Sequence, residues 1–437
     1  MKVHFGPIHF RLPLSTLALL FLTLPARSAE VYIGLTRGAA GEAPLVGLSP
    51  FTALRAANPD DETLAKKMQE VVETDLLLSR WFRIDDRGPA AMGAEPAWDA
   101  WKRLGATALA AGRASTVGSK ILLEARLYDL QARTSIFEKR YETDAGGNWR
   151  ALAHSASDEI VRQLTGRPGI ARTRIAFVDD KTGTKEVCVV DYDGDGFVQI
   201  TRENSIALLP RWSKDGRQLY YTTYKYGNPD IYRVDLLERK PQPVLTRQGL
   251  NVPGAVSPDG GSLLVTSANA GRNANLFLVD LGSRQARQLT FHTGADSSGC
   301  FSPDGREAAF VSDRSGNPQI HILEMDTGRV SKLTDLNWCD SPAWQPTGEW
   351  IAFAGRPGLK DKMDIYVVDT TGARLKQLTR DAGSNENPTW SPDGRFIAFT
   401  SNRDGRRKLY VMDADGSAPR TVGELPGNAF TPAWSPQ

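Results

Sequence analysis

Side chains able to do acid–base, metal or nucleophilic chemistry are sparse in this chain. Of its five histidines, three lie beyond the first 29 residues, His154, His292 and His321, and none stands in a His-Glu-x-x-His or comparable ligand spacing. His154 and Asp158 share a helical face at i,i+4, which reads as a solvated helix pair. Asp191-Tyr192-Asp193-Gly194-Asp195-Gly196 opens like a calcium loop, with oxygen ligands at positions 1, 3 and 5 and Gly at 6. Arg202 stands where the bidentate Glu belongs, so the stretch reads as a turn between strands. No Gly-x-Ser-x-Gly nucleophile elbow is present. Cys188 in a Val-Cys-Val-Val run reads as a small buried hydrophobe, and no bridge is expected between Cys300 and Cys339. These residues point away from an enzyme and imply no cofactor or metal.

The elements that carry them repeat. Ser391-Pro392-Asp393-Gly394 has the residue types of a type I turn, and variants begin at Ser213, Ser257, Ser302, Gln345 and Ser435. The steps along the chain are 44, 45, 43, 46 and 44 residues. Each turn joins two strands, a third follows in the manner of Lys408-Leu409-Tyr410-Val411-Met412-Asp413, and each unit closes on a signature such as Gln377-Leu378-Thr379. Four short strands in about 44 residues mark a propeller blade. Trp212, Trp344, Trp390 and Trp434, at one offset from the turn, read as blade core rather than a stacking platform. Six units are present, and the first begins at its second strand, Arg174 to Val178. The terminal Thr431-Pro432-Ala433-Trp434-Ser435-Pro436 is an inner strand with no blade after it, so it should close the ring on that first unit.

Ahead of the propeller the pattern alternates strand and helix. Residues 1–29 read as a secretory signal, with Lys2 and Arg11 before an apolar stretch from Leu12 to Leu24 and a small-residue exit favouring cleavage after Ser28. Strands are expected at Val31–Leu35, Pro44–Leu48, Ala106–Ala111, Ile121–Leu127 and Ile136–Tyr141, with helices through Leu64–Leu76, at Trp98–Trp101 and over Trp149–Leu164. The reading is therefore a signal at 1–29, an α/β domain over 30–166 and an all-β six-bladed propeller over 167–437, closed by the C-terminal strand. With 53 basic against 51 acidic residues, charge gives no reason to expect nucleic acid or an anionic membrane as the main partner. The functional candidate is a surface, the polar connections expected at one mouth of the channel. They comprise Asn251, Asp296-Ser297-Ser298, Asp340-Ser341, Asn385-Glu386-Asn387 and Thr431. An exported propeller binding a small ligand or glycan in its channel, or a hydrolase using channel carboxylates, are the alternatives.

With these elements in place, the chain resembles the TolB family, periplasmic propeller proteins of the Tol-Pal system. The resemblance rests on Ala153-His154-Ser155-Ala156-Ser157-Asp158-Glu159-Ile160, on Leu164-Thr165-Gly166 with Thr173-Arg174-Ile175-Ala176-Phe177-Val178, on Asp191-Tyr192-Asp193-Gly194, and on Pro432-Ala433-Trp434-Ser435-Pro436. It implies a non-enzymatic periplasmic protein that supports outer-membrane integrity and its invagination at division. It implies binding of the lipoprotein Pal at the propeller mouth and of TolA through the mature N-terminal segment, here Glu30-Val31-Tyr32-Ile33-Gly34-Leu35. The tail is expected to alternate between packed and free states, so that Pal at one site biases TolA at the other. Two departures stand out: Ala171-Arg172 where the family carries an aromatic residue before the junction, and Ser298-Gly299-Cys300 where many relatives have an acidic residue and Pro.

Overall fold

The computed structural model describes residues 43–54, 59–91, 96–269 and 272–437. The signal and the Glu30–Leu35 segment lie outside the described residues, as does the strand expected at 31–35.

The N-terminal domain is one sheet in the strand order Arg83–Asp85, Leu45–Leu48, Ala108–Val117, Lys120–Asp129, Thr134–Asp144. The first three are parallel and the rest are antiparallel hairpins, with Thr52–Ala53 adding to Ala108–Val117. Helices α1 (Pro59–Leu78) and α3 (Arg150–Thr165) bury one face of it, through Met68, Val72 and Leu76 on α1 and Ala153, Ile160 and Leu164 on α3. The opposite face takes the short helix α2 (Trp98–Arg103), whose Trp101 is completely buried against Leu109 and Leu130. The helices expected from the sequence are all present; the two short strands Thr52–Ala53 and Arg83–Asp85 are additions.

From residue 174 onward the chain forms six four-stranded antiparallel sheets. Blades 1 to 5 run consecutively from Ala207, Leu250, Asp296, Trp338 and Asn385. Blade 6 is composite: Ala429–Trp434 supplies its inner strand and pairs with Arg174–Asp179, with Phe430 opposite Val178 and Trp434 opposite Ile175. The expected clasp is therefore the one that forms.

The turn chemistry explains why the repeat keeps its residues. In the turn from Ser391 the Gly394 N–H donates to the Ser391 carbonyl at 2.9 Å, and Gly394 takes a φ of 70° that side chains disfavour. The Ser391 hydroxyl donates to Asp393 Oδ1 and accepts from the Phe396 N–H, while Asp393 Oδ1 accepts the Arg395 N–H. The closing Thr is equally specific. In four blades its hydroxyl accepts a backbone N–H of the third strand, as Thr379 does from Ile365 at 2.9 Å. Two of the repeated Trp rings cross between blades: Trp212 Nε1 donates to the Ala433 carbonyl at 2.8 Å and Trp390 Nε1 to that of Ala343 at 3.0 Å, whereas Trp344 Nε1 donates within its own turn to the Gly348 carbonyl at 3.3 Å.

Candidate functional site

Every inner strand carries a bulge of one extra residue, in register between Leu208 and Arg211, Pro253 and Ala255, Ser297 and Cys300, Asp340 and Ala343, Glu386 and Thr389, and Phe430 and Ala433. In five blades the residue facing the bulge from the second strand is a fully buried aromatic: Tyr221, Phe310, Phe353, Phe399 and Phe177. The first bulged residue in those blades, Leu209, Ser298, Ser341, Asn387 or Thr431, takes a positive φ between 43° and 55°. Blade 2 differs because Pro253 occupies that position and its ring holds φ near −65°. The bulges set four of the residues expected at the mouth, Ser298, Ser341, Asn387 and Thr431, in a ring on the channel wall.

These mouth positions belong to the inner strands, not to loops, which corrects the sequence expectation. Alternation along an inner strand then decides which side chains reach solvent. Asn251 and Asn385 are completely buried. Asn251 Nδ2 donates to the carbonyls of Pro229, Arg247 and Gly249, and Asn385 is held by Asp364 and Arg403, so both tie loops together. Ser297, Asp340 and Glu386 remain at the rim, Glu386 paired to Arg407 at 3.0 Å. Burial, with the Glu386 charge adding, lifts the Asp340 carboxyl above its ordinary range. Around the same face stand exposed apolar side chains, Tyr224, Tyr226, Phe291, Trp338 and Leu359.

The opposite face, where the Ser-Pro-Asp-Gly turns lie, is gripped by the N-terminal domain over blades 5 and 6. The Arg395 guanidinium donates to the Ser79 carbonyl at 2.9 Å and lies 4.0 Å from the Trp81 ring centroid. Arg150 of α3 meets Asp191, Asp193 and Asp195, the acids of the calcium-like stretch. Their oxygens are thus committed to a cation supplied by the neighbouring domain. His154 is buried in the same junction, with Nδ1 2.8 Å from Asp75 of α1 and Nε2 3.7 Å from Asp191. Burial alone would lower its pKa, but Asp191 and Asp75 prevail and raise it to about 10. Burial lifts Asp75 to about 6 against the opposing pull of His154. The solvated His154–Asp158 pair is therefore overturned. Asp158 is half-buried and turned to other partners, accepting from the Ala171 N–H at 2.7 Å and from Arg172 Nε at 3.0 Å. The helical period carried the signal, since His154 shares a stripe with Ser157, Val161 and Leu164, all buried.

Asp75, His154 and Asp193 bring three potential metal ligands together. The group already has its cations in Arg150 and protonated His154, which leaves a metal without an electrostatic task. The channel itself, about 550 Å³, has no Asp, Glu or His among the described residues of its wall, so a hydrolase built on channel carboxylates lacks its groups there. All three thiols are free.

A family model described as the TolB beta propeller domain matches residues 161–338 and 336–437, and one described as the TolB amino-terminal domain matches residues 31–136. A Tol-Pal system protein TolB from Desulfosudis oleivorans is 34% identical over 210 residues, 46% of this chain and 47% of that one, so the aligned part spans about half the relative's length. A protein TolB homolog from Chlorobium luteolum is 30% identical over 333 residues, 76% of this chain and 75% of the relative. The crystal structure of TolB from Acinetobacter baumannii superposes with a TM-score of 0.77 at 26% identity, covering 91% of this chain and 97% of that one.

Proposed function

The chain belongs to the TolB family, and on that premise we propose that it is a non-enzymatic, periplasmic component of the Tol-Pal system, binding Pal at the propeller mouth and TolA through Glu30–Leu35. The observation that carries this reading is the division of the propeller into two unlike faces. The N-terminal domain grips the turn face over blades 5 and 6, while the mouth face keeps exposed aromatic and apolar side chains beside a polar rim. Exposed apolar groups beside a polar rim are what a protein partner desolvates. The contact set proposed for Pal is Ser297, Ser298, Asp340, Ser341, Glu386, Asn387 and Thr431, with Asn251 and Asn385 acting behind it as supports. Pal would anchor the protein at the outer membrane, and through TolA the pair would support membrane integrity and invagination during division.

Calorimetric titration with the soluble Pal domain of the same organism tests this. Saturable binding is expected, with an affinity that changes when Glu30–Leu35 is removed. Absence of binding by both the full mature chain and the shortened one would reject the reading.

A further inference from the structure

Blade 1 departs from the repeat at two channel positions, and both departures are cations. Two residues before the turn the other blades carry Ala255, Cys300, Ala343, Thr389 and Ala433; blade 1 carries Arg211. At the second turn position the others carry Pro; blade 1 carries Lys214. Both side chains line the channel. Arg211 reaches blade 2, where its Nε donates to the Gly254 carbonyl at 2.5 Å. Nη1 donates to the carbonyl of Pro210 at 2.8 Å. Its partners are therefore neutral carbonyls. Burial draws its pKa down to about 10, with the Cys300 thiol of blade 3 the one titratable neighbour, so the group is a cation at neutral pH. Among the described residues the channel wall supplies no carboxylate to balance it. The rim carboxylates are engaged elsewhere, Glu386 with Arg407 and Asp340 with the Ser341 N–H. A half-buried cation on the wall of a channel, held only by carbonyls, leaves its charge unbalanced there and favours an anion beside it.

We propose that the propeller channel is an oxyanion-binding site, in which the Arg211 guanidinium takes the carboxylate or phosphate of a small ligand while Lys214 draws it in from the turn face. The channel volume of about 550 Å³ suits a small organic anion, and the remaining wall supplies Pro and Trp surfaces for an apolar body with the Ser298 and Ser341 hydroxyls toward the mouth. This inference stands apart from the Tol-Pal reading: failure to bind Pal would leave it intact, and its own failure would leave that reading intact.

The test is thermal denaturation of the whole mature protein titrated separately with inorganic phosphate and with benzoate, at constant ionic strength made up with chloride. A saturable rise in melting temperature is expected with at least one probe, and which one saturates distinguishes phosphate from carboxylate ligands. A linear rise alone would be general salt exclusion and would overturn the proposal. In Arg211→Gln the saturable component is expected to weaken at least roughly tenfold, because a charge-assisted fork is lost. A second variant, Cys300→Asp, places a carboxylate beside the guanidinium. It should raise the melting temperature without ligand and abolish the response to both probes. Unchanged binding in either folded variant would overturn the assignment.

Discussion

At the scale of single residues, the most informative group is His154, because its charge is set by two domains at once. Asp75 from α1 and Asp191 from blade 6 hold it protonated, while Arg150 balances the remaining acids of the same turn. Its folded pKa, about 10, lies above the unfolded value near 6.5, so its contribution is fully present below pH 6.5 and is lost as pH rises toward 10. Asp75, raised to about 6, adds a penalty that develops as pH climbs from its unfolded value and is complete near pH 6, below the window in which His154 titrates. Stability measured by denaturation is expected to fall between pH 6.5 and 10 with a slope of at most about 1.4 kcal/mol per pH unit from this site. His154→Gln should flatten that slope. An equal slope in the variant would show that the imidazole does not titrate in this window. The burial of His154 was legible in the helical stripe it shares with Ser157 and Val161, but its partners were not. They come from α1 and from a turn beyond the linker, and no local spacing encodes that approach.

At the scale of elements, the repeat made the blades legible because turn chemistry and strand period agree in every unit. Asp393 and Gly394 do in the structure what their types demand of a turn, and the terminal strand closes blade 6 as its unpaired copy implied. The bulges were not legible. A one-residue register shift depends on which second-strand residue faces it, and only pairing shows that Phe177, Phe310, Phe353 and Phe399 lie opposite the extra residue. The sequence reading accordingly left the candidate site on loops, where the structure has inner strands, and concealed the burial of Asn251 and Asn385. The clasp carries the next prediction. Trp434 is buried between blades, and its Nε1 donates to the Thr173 hydroxyl at 2.9 Å, fastening the end of the chain to the start of the propeller. Trp434→Ala is expected to cost about 3–5 kcal/mol, and deletion of Ala429–Gln437 more, since the inner strand of blade 6 goes with it. Thermal unfolding measures both, and a deletion variant that melts with the intact protein would show that the ring closes some other way.

At the scale of the whole molecule, the domain junction and the mouth lie on opposite faces of the propeller. The N-terminal domain holds the turn face through Arg150, His154, Arg395 and the Tyr192 hydroxyl, which donates to the Asp75 carbonyl at 3.2 Å, while the mouth lies on the other side. If Pal at the mouth and the state of the tail influence one another, the coupling must have a physical carrier with two arrangements, and linkage requires it to act equally in both directions. The polar junction is the natural carrier, because charged contacts can re-pair where a packed apolar interface could only separate. Arg150→Glu sets a fourth negative charge against Asp191, Asp193 and Asp195, and breaking a mostly buried pair costs about 3–5 kcal/mol. Calorimetry of this variant should resolve separate melting of the two domains. In the same variant, removal of Glu30–Leu35 should no longer change Pal affinity, although Pal itself should still bind, since no mouth residue has been altered. A tail effect of undiminished size in Arg150→Glu would place the coupling outside the junction, and the tail would then have to reach the mouth face directly.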